Sequence, residues 1–86
     1  MKIARTDHFK AAWSRLEEKD KKSARKAIEN LMANMNYPSL RVKKIKGTSN
    51  IWEARASRAL RITFQVDSDI VILRNVGHHD ETLKQP

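Results

Sequence analysis

Ile51-Trp52-Glu53-Ala54-Arg55-Ala56, Ser57-Arg58-Ala59 and Leu60-Arg61-Ile62-Thr63-Phe64-Gln65-Val66 follow one another without a break, and this stretch decides the fold. Two runs that alternate apolar with polar residues flank a gap of hairpin length, which predicts two antiparallel strands. A three-residue loop at 57–59 pairs Arg55 with Arg61, Ala54 with Ile62, Glu53 with Thr63 and Trp52 with Phe64, because directly opposed residues point to the same face. Trp52, Ala54, Ala56, Leu60, Ile62 and Phe64 then face a core, while Glu53, Arg55, Arg61 and Thr63 line the other side. Two arginines directly opposite each other repel by roughly 0.2–1 kcal/mol, so an anion is expected between them. Glu53 compensates one arginine; a phosphate satisfies both.

Downstream, Ile70 to Val76 is a third strand, joined to the second through Asp67-Ser68-Asp69. A turn centred on Ser68 places Asn75 beside Arg61, so that Gly77, His78 and His79 leave the sheet near Arg58 and Ala59. Upstream, Leu40, Val42 and Ile45 alternate with basic residues and lead into the turn cluster Gly47-Thr48-Ser49-Asn50. Before them the apolar period is helical. Thr6-Asp7 is an N-cap with an acidic first turn, Phe9, Ala12, Trp13 and Leu16 form one stripe, and Ala24, Ala27, Ile28, Leu31 and Met35 form a second. The polar run Lys19 to Ser23 is read as the bend between the two helices, and Asn34, Asn36 and Pro38 end the second. With a short strand at Lys2–Arg5 the order is β-α-α-β-β-β. The expected fold class is α+β, an antiparallel sheet covered on one face by a helical hairpin.

The 86 residues suffice for one small domain, 1–86, with a single core. No cysteine is present, so neither disulfides nor thiolate zinc sites are available. No apolar run approaches the roughly 20 residues of a membrane span, and the N-terminus lacks the pattern of a secretory signal; the chain is expected in the cytoplasm, with no membrane partner. Eighteen basic against ten acidic residues give a net charge of +8, which favours an anionic partner such as nucleic acid. The excess is concentrated on the strands. Between Pro38 and Val66 lie Arg41, Lys43, Lys44, Lys46, Arg55, Arg58 and Arg61 against the single acid Glu53, whereas residues 1–36 mix nine basic and five acidic groups.

Arginines on two neighbouring strands and a histidine pair at the chain's exit combine an electrostatic clamp with a group able to carry a proton near neutral pH. That combination handles phosphodiesters. Three histidines, two of them adjacent, and scattered acids make no dense metal-ligand set, and no cofactor is expected.

The spacing Trp52-x-x-Arg55-x5-Arg61-Ile62-x-Phe64, followed by His79 eighteen residues after Arg61, resembles the RelE/ParE superfamily of small toxins, and within it the YoeB-like and RelE-like ribosome-dependent messenger-RNA endonucleases. The resemblance covers nearly the whole chain in element order. It implies a toxin of a type II toxin–antitoxin module that cleaves mRNA by attack of the ribose 2′-hydroxyl on its own phosphate, without a metal. Arg61, helped by Arg55, would stabilise the transition state and His79 would protonate the leaving oxygen; Glu53 and His78 are both candidate bases. Arg41, Lys43, Lys44, Lys46 and Arg58 would hold messenger or ribosomal RNA. The tyrosine that follows the histidine in YoeB-like toxins is Asp80 here, and the paired lysines of RelE-like toxins are replaced by the Trp52–Ala54 segment. The implied partners are mRNA, the ribosome and an acidic antitoxin, partly disordered when free, that covers Arg61 and His79.

Two other classes share the fold: a ParE-like toxin that poisons DNA gyrase without cutting RNA, and an inactive member that only binds nucleic acid or protein. Duller roles also exist for single residues. Trp52 and Trp13 read as core, His8 as a helix-surface residue, and the Arg41–Lys46 run as an edge strand whose lysines discourage aggregation.

Overall fold

The computed structural model describes residues 1–86. Strand β1 (Lys2–Arg5) leads into helices α1 (Asp7–Ser14) and α2 (Glu18–Ala33); a 3-10 turn (Pro38–Leu40) and four strands follow, β2 (Lys43–Lys44), β3 (Trp52–Arg55), β4 (Leu60–Asp67) and β5 (Ile70–His78), before a last helix α3 (His79–Lys84). The sheet order is β1-β5-β4-β3-β2. The four later strands are antiparallel to their neighbours, as expected, and β1 adds to β5 in parallel, which makes the sheet mixed. No helix is long and apolar enough to cross a membrane.

Helix α1 begins where its cap demands. The Thr6 Oγ1 accepts from the Phe9 N–H at 3.0 Å and donates to the Arg74 carbonyl at 3.1 Å, so one hydroxyl both caps the helix and ties it to β5. The break before α2 falls at 15–17, earlier than the polar run suggested. Lys19 to Ser23 belong to α2, where Glu18 and Asp20 favour the positive end of the helix dipole. Phe9, Ala12, Ala24, Ala27 and Leu31 are buried against Ala54, Leu60, Ile62, Phe64, Val71, Leu73 and Val76 of the sheet. Each large apolar side chain so removed from water contributes about 1.5–3 kcal/mol.

The β3–β4 register is the expected one throughout, Arg55 opposite Arg61 and Trp52 opposite Phe64. The Leu40 segment differs: Leu40 is buried in the 3-10 turn, Arg41 leaves it with φ 45°, and only Lys43–Lys44 pair with β3. The β4–β5 register differs too. Ser68 adopts φ 55°, so the hairpin closes with two residues between Asp67 and Ile70, and a bulge then leaves Arg74 without a partner between the Phe64–Leu73 and Thr63–Asn75 pairs. Without the bulge Val76 would face away from the core; with it Val71, Leu73 and Val76 are all buried. Arg61 is therefore opposite Gly77, not Asn75.

The second face of the sheet is covered as well, by α3 and the residues that follow it. The Thr63 Oγ1 donates to the Pro86 carbonyl at 2.9 Å and Asn75 Nδ2 donates to the Gln85 carbonyl at 3.0 Å, so the residues after α3 run back across the sheet. Thr82 of α3 is 2% exposed, and a Cβ built on Gly77 would lie 2.9 Å from its Oγ1. Only glycine admits this approach. Gly77→Ala is expected to destabilise the fold by about 1–3 kcal/mol through overpacking, measured by urea unfolding, and Thr82→Ala in the same chain is expected to restore most of that loss.

Candidate functional site

The hairpin loop that joins β3 to β4 is closed by its own polar groups. The Ala56 N–H donates to the Leu60 carbonyl at 2.9 Å, and the Leu60 N–H donates to Ser57 Oγ at 3.2 Å. This turns the carbonyls of the loop toward Arg61. Its Nη1 donates to the carbonyl oxygens of Ser57 at 2.9 Å, Arg58 at 3.2 Å and Leu60 at 3.1 Å. One nitrogen of the guanidinium is thereby anchored, and the donors on Nη2 and Nε remain for a ligand. Arg61 is thus held by the protein's own backbone.

Beside it the chain leaves β5. The His79 N–H donates to the Ala59 carbonyl at 2.8 Å, which pins the first residue of α3 to the same loop. The imidazole Nδ1 lies 3.2 Å from Asp80 Oδ1; the His79 side chain is 46% exposed and that of Asp80 95%. With Nδ1 turned to the carboxylate, Nε2 is the ring nitrogen left without a partner.

Glu53 is the unusual member. It is 4% exposed, its Oε1 is 3.2 Å from the Nζ of Lys43, its register partner across β2–β3, and its buried Oε2 has no hydrogen-bond partner. A buried carboxylate oxygen without a donor is costly and calls for an explanation. Its surroundings suggest one. Arg41, Lys43, Glu53, Arg55, Arg61 and His79 together line a cleft of about 210 Å³ that contains no apolar residue. Four cations, an imidazole and one carboxylate, whose Oε2 is buried and unpartnered, thus share a single recess, a set that can bind a phosphodiester and exchange protons with it.

Not every expected residue joins it. His78 is opposite Leu60 and so on the helix-side face, where it lines a separate cleft with His8, Arg15 and Glu81. Adjacent residues of a strand point to opposite faces, and β5 extends through His78. His78 thus lies apart from the cleft that His79 lines. Arg58 lines an adjoining groove. Lys44 pairs with Trp52 and Lys46 lies beyond β2, so both are exposed outside the cleft. Asp80, the departure from the YoeB-like pattern, contacts the imidazole from the first turn of α3, a placement that only the helix start reveals. Trp52 and Trp13 pack against the core, the latter with its ring 6.0 Å from that of Phe9. His8 is exposed.

No protein-family model and no curated protein matches the sequence. Solved structures do match along nearly the full chain. A chain of the RelB–RelE antitoxin–toxin complex from Methanococcus jannaschii is 26% identical with a TM-score of 0.74, over 96% of this chain and 99% of that one. A copper-bound mutant toxin from Helicobacter pylori is 20% identical at a TM-score of 0.80, over 94% and 97% of the two chains. The YoeB/ParE toxin from Agrobacterium tumefaciens is 16% identical at 0.77, over 92% and 99%.

Proposed function

From the RelE/ParE toxin fold of this chain, we propose that it is the toxin of a type II toxin–antitoxin pair and an endoribonuclease that cuts messenger RNA on the ribosome. The observation that carries this reading is the recess shared by Glu53, Arg55, Arg61 and His79, in which the Glu53 carboxylate keeps one buried oxygen without a hydrogen-bond partner.

The reaction follows from the groups present. The Glu53 carboxylate takes the proton of the ribose 2′-hydroxyl, and the 2′-oxygen forms a bond to the adjacent phosphorus. Arg61 and Arg55 hold the non-bridging oxygens as charge builds on them; fixed donors of this kind are typically worth about 10²–10³ in rate each. The bond from phosphorus to the 5′-oxygen breaks, and His79 gives that oxygen its proton. The products are a 2′,3′-cyclic phosphate and a free 5′-hydroxyl. Every proton and charge is handled by a side chain of the cleft. Lys43 holds the other carboxylate oxygen of Glu53 and keeps it from turning into an arginine. His78, on the opposite face, has no part in the reaction.

Arg41 and Lys43 extend the cation field at the mouth of the cleft, and Lys44, Lys46 and Arg58 add exposed charge around it for ribosomal RNA or messenger backbone. Such contacts weaken steeply as salt rises. The same field suits an acidic antitoxin segment laid over Arg61 and His79, in line with the Methanococcus jannaschii complex. The test is expression in translating cells. Growth arrest with primer-extension stops inside ribosome-bound messages, relieved by His79→Ala and by Arg61→Ala in chains that still fold, is the expected result. Undiminished arrest in both variants refutes the chemistry, and arrest with inhibited supercoiling by purified gyrase in place of cut messages supports a ParE-like poison.

A further inference from the structure

A second groove, of about 540 Å³, adjoins the cleft and shares Arg41 and Arg55 with it. Lys26 of α2 and Arg58 of the hairpin loop bring its cations to four, and none of its eleven lining residues is acidic. Tyr37 stands on the same wall, 43% exposed, and is one of two large hydrophobic side chains left so open.

The backbone that carries the ring is held in place while the ring itself stays exposed. The Tyr37 N–H donates to the Asn34 carbonyl at 3.0 Å, the Asn36 N–H donates to Asn34 Oδ1 at 2.9 Å, and the Tyr37 carbonyl accepts from the N–H of buried Leu40 at 3.0 Å. Pro38 restricts the backbone of the residue before it, and Tyr37 has the extended ψ of 121° that this favours. Arg41 takes its left-handed φ of 45° at the boundary between groove and cleft, a conformation that a residue with a side chain adopts at an energetic cost and that directs attention to its function. A solvent-facing aromatic ring on an anchored backbone beside a cationic track is how single-stranded nucleic acid is held, the ring taking a base face and the cations its backbone.

We propose that this groove is a second nucleotide subsite: the nucleotide next to the scissile phosphate stacks its base on Tyr37, and its own phosphate lies among Arg41, Arg58 and Lys26. The inference rests on the reading of the cleft as an RNA site and extends the substrate to at least two consecutive nucleotides of a single strand. An acidic peptide would answer the cations, but the open ring beside them matches a nucleobase. Because every base has a π face, the subsite tolerates sequence.

The experiment measures fluorescence anisotropy of a labelled hexanucleotide that is 2′-O-methylated throughout and therefore cannot be cut. Tyr37→Ala is expected to weaken binding about tenfold, and Tyr37→Trp to keep it. Tyr37→Ala leaves the slope of log affinity against log salt unchanged, whereas Arg58→Gln lowers it by about 0.7. Equal affinity of wild type and Tyr37→Ala, or an oligoglutamate peptide binding as tightly as the hexanucleotide, overturns the proposal. Cutting of unmodified message on ribosomes is scored separately. A wild type that binds with this Tyr37 dependence but never cuts keeps the groove and removes the catalytic reading; one that cuts while Tyr37→Ala binds and cuts equally keeps the cleft and removes the groove.

Discussion

Glu53→Gln is expected to slow message cleavage by about 10²- to 10⁴-fold, the usual worth of a positioned general base, while affinity for uncleavable RNA stays unchanged. The amide keeps the shape of the side chain and can still offer an oxygen to Lys43, 3.2 Å away. What it lacks is the basicity of a carboxylate whose Oε2 has no hydrogen-bond partner. The loss belongs in kcat with KM preserved, because the proton is taken only as the transition state forms. A different role makes a different prediction. If the carboxylate serves only to offset the repulsion of Arg55 and Arg61, paired directly across β3–β4, the variant cuts at the wild-type rate and loses stability instead, and denaturant unfolding separates the two outcomes.

The part of the site carried by β3 and β4 was legible because two local signals agree. Alternation from Trp52 to Phe64 sets which residues face the core, and the loop at 57–59 sets the pairing, so the opposition of Arg55 and Arg61 follows from sequence alone. Helix stripes built on Phe9 and Ala24 were equally plain, since a 3.6-residue period needs no partner to be read. The remainder depends on structure that local pattern does not carry. Ser68 closes a two-residue hairpin with a positive φ, and the bulge at Arg74 moves Gly77 to the position opposite Arg61; neither has a turn or apolar signature strong enough to announce it. Helix α3 offers a single apolar residue, Leu83, and docks through the absence of a side chain at Gly77. Its acidic first turn and Lys84 in the last are helix signals too weak to stand without that contact. The two histidines part because β5 continues two residues past Val76. Parallel addition of β1 has no local code at all: its partner, β5, is more than sixty residues away.

Those differences sharpen the site. The slipped register brings Gly77 across from Arg61, the glycine lets α3 approach the sheet, and α3 starts with His79 held to the Ala59 carbonyl. A strand irregularity and one missing Cβ therefore position His79, the proposed proton donor. By the same chain of contacts, a shift of α3 displaces the imidazole from the clamp, and catalysis is sensitive to such displacements even when binding is not.

The second large effect belongs to the substrate. In the mechanism drawn from the cleft the nucleophile is the 2′-hydroxyl of the RNA itself, so replacing that single hydroxyl by hydrogen at the cleavage position removes the attacking atom while the phosphate, the base and the remaining strand stay the same. Ribosomes carrying a message with one such deoxynucleotide, incubated with the protein and an excess of chelator, give the most direct measurement. The account predicts no cut at the substituted position, and at the all-ribose position a 2′,3′-cyclic phosphate facing a free 5′-hydroxyl. Cleavage that persists across the deoxynucleotide, or a product bearing a 5′-phosphate, would contradict it.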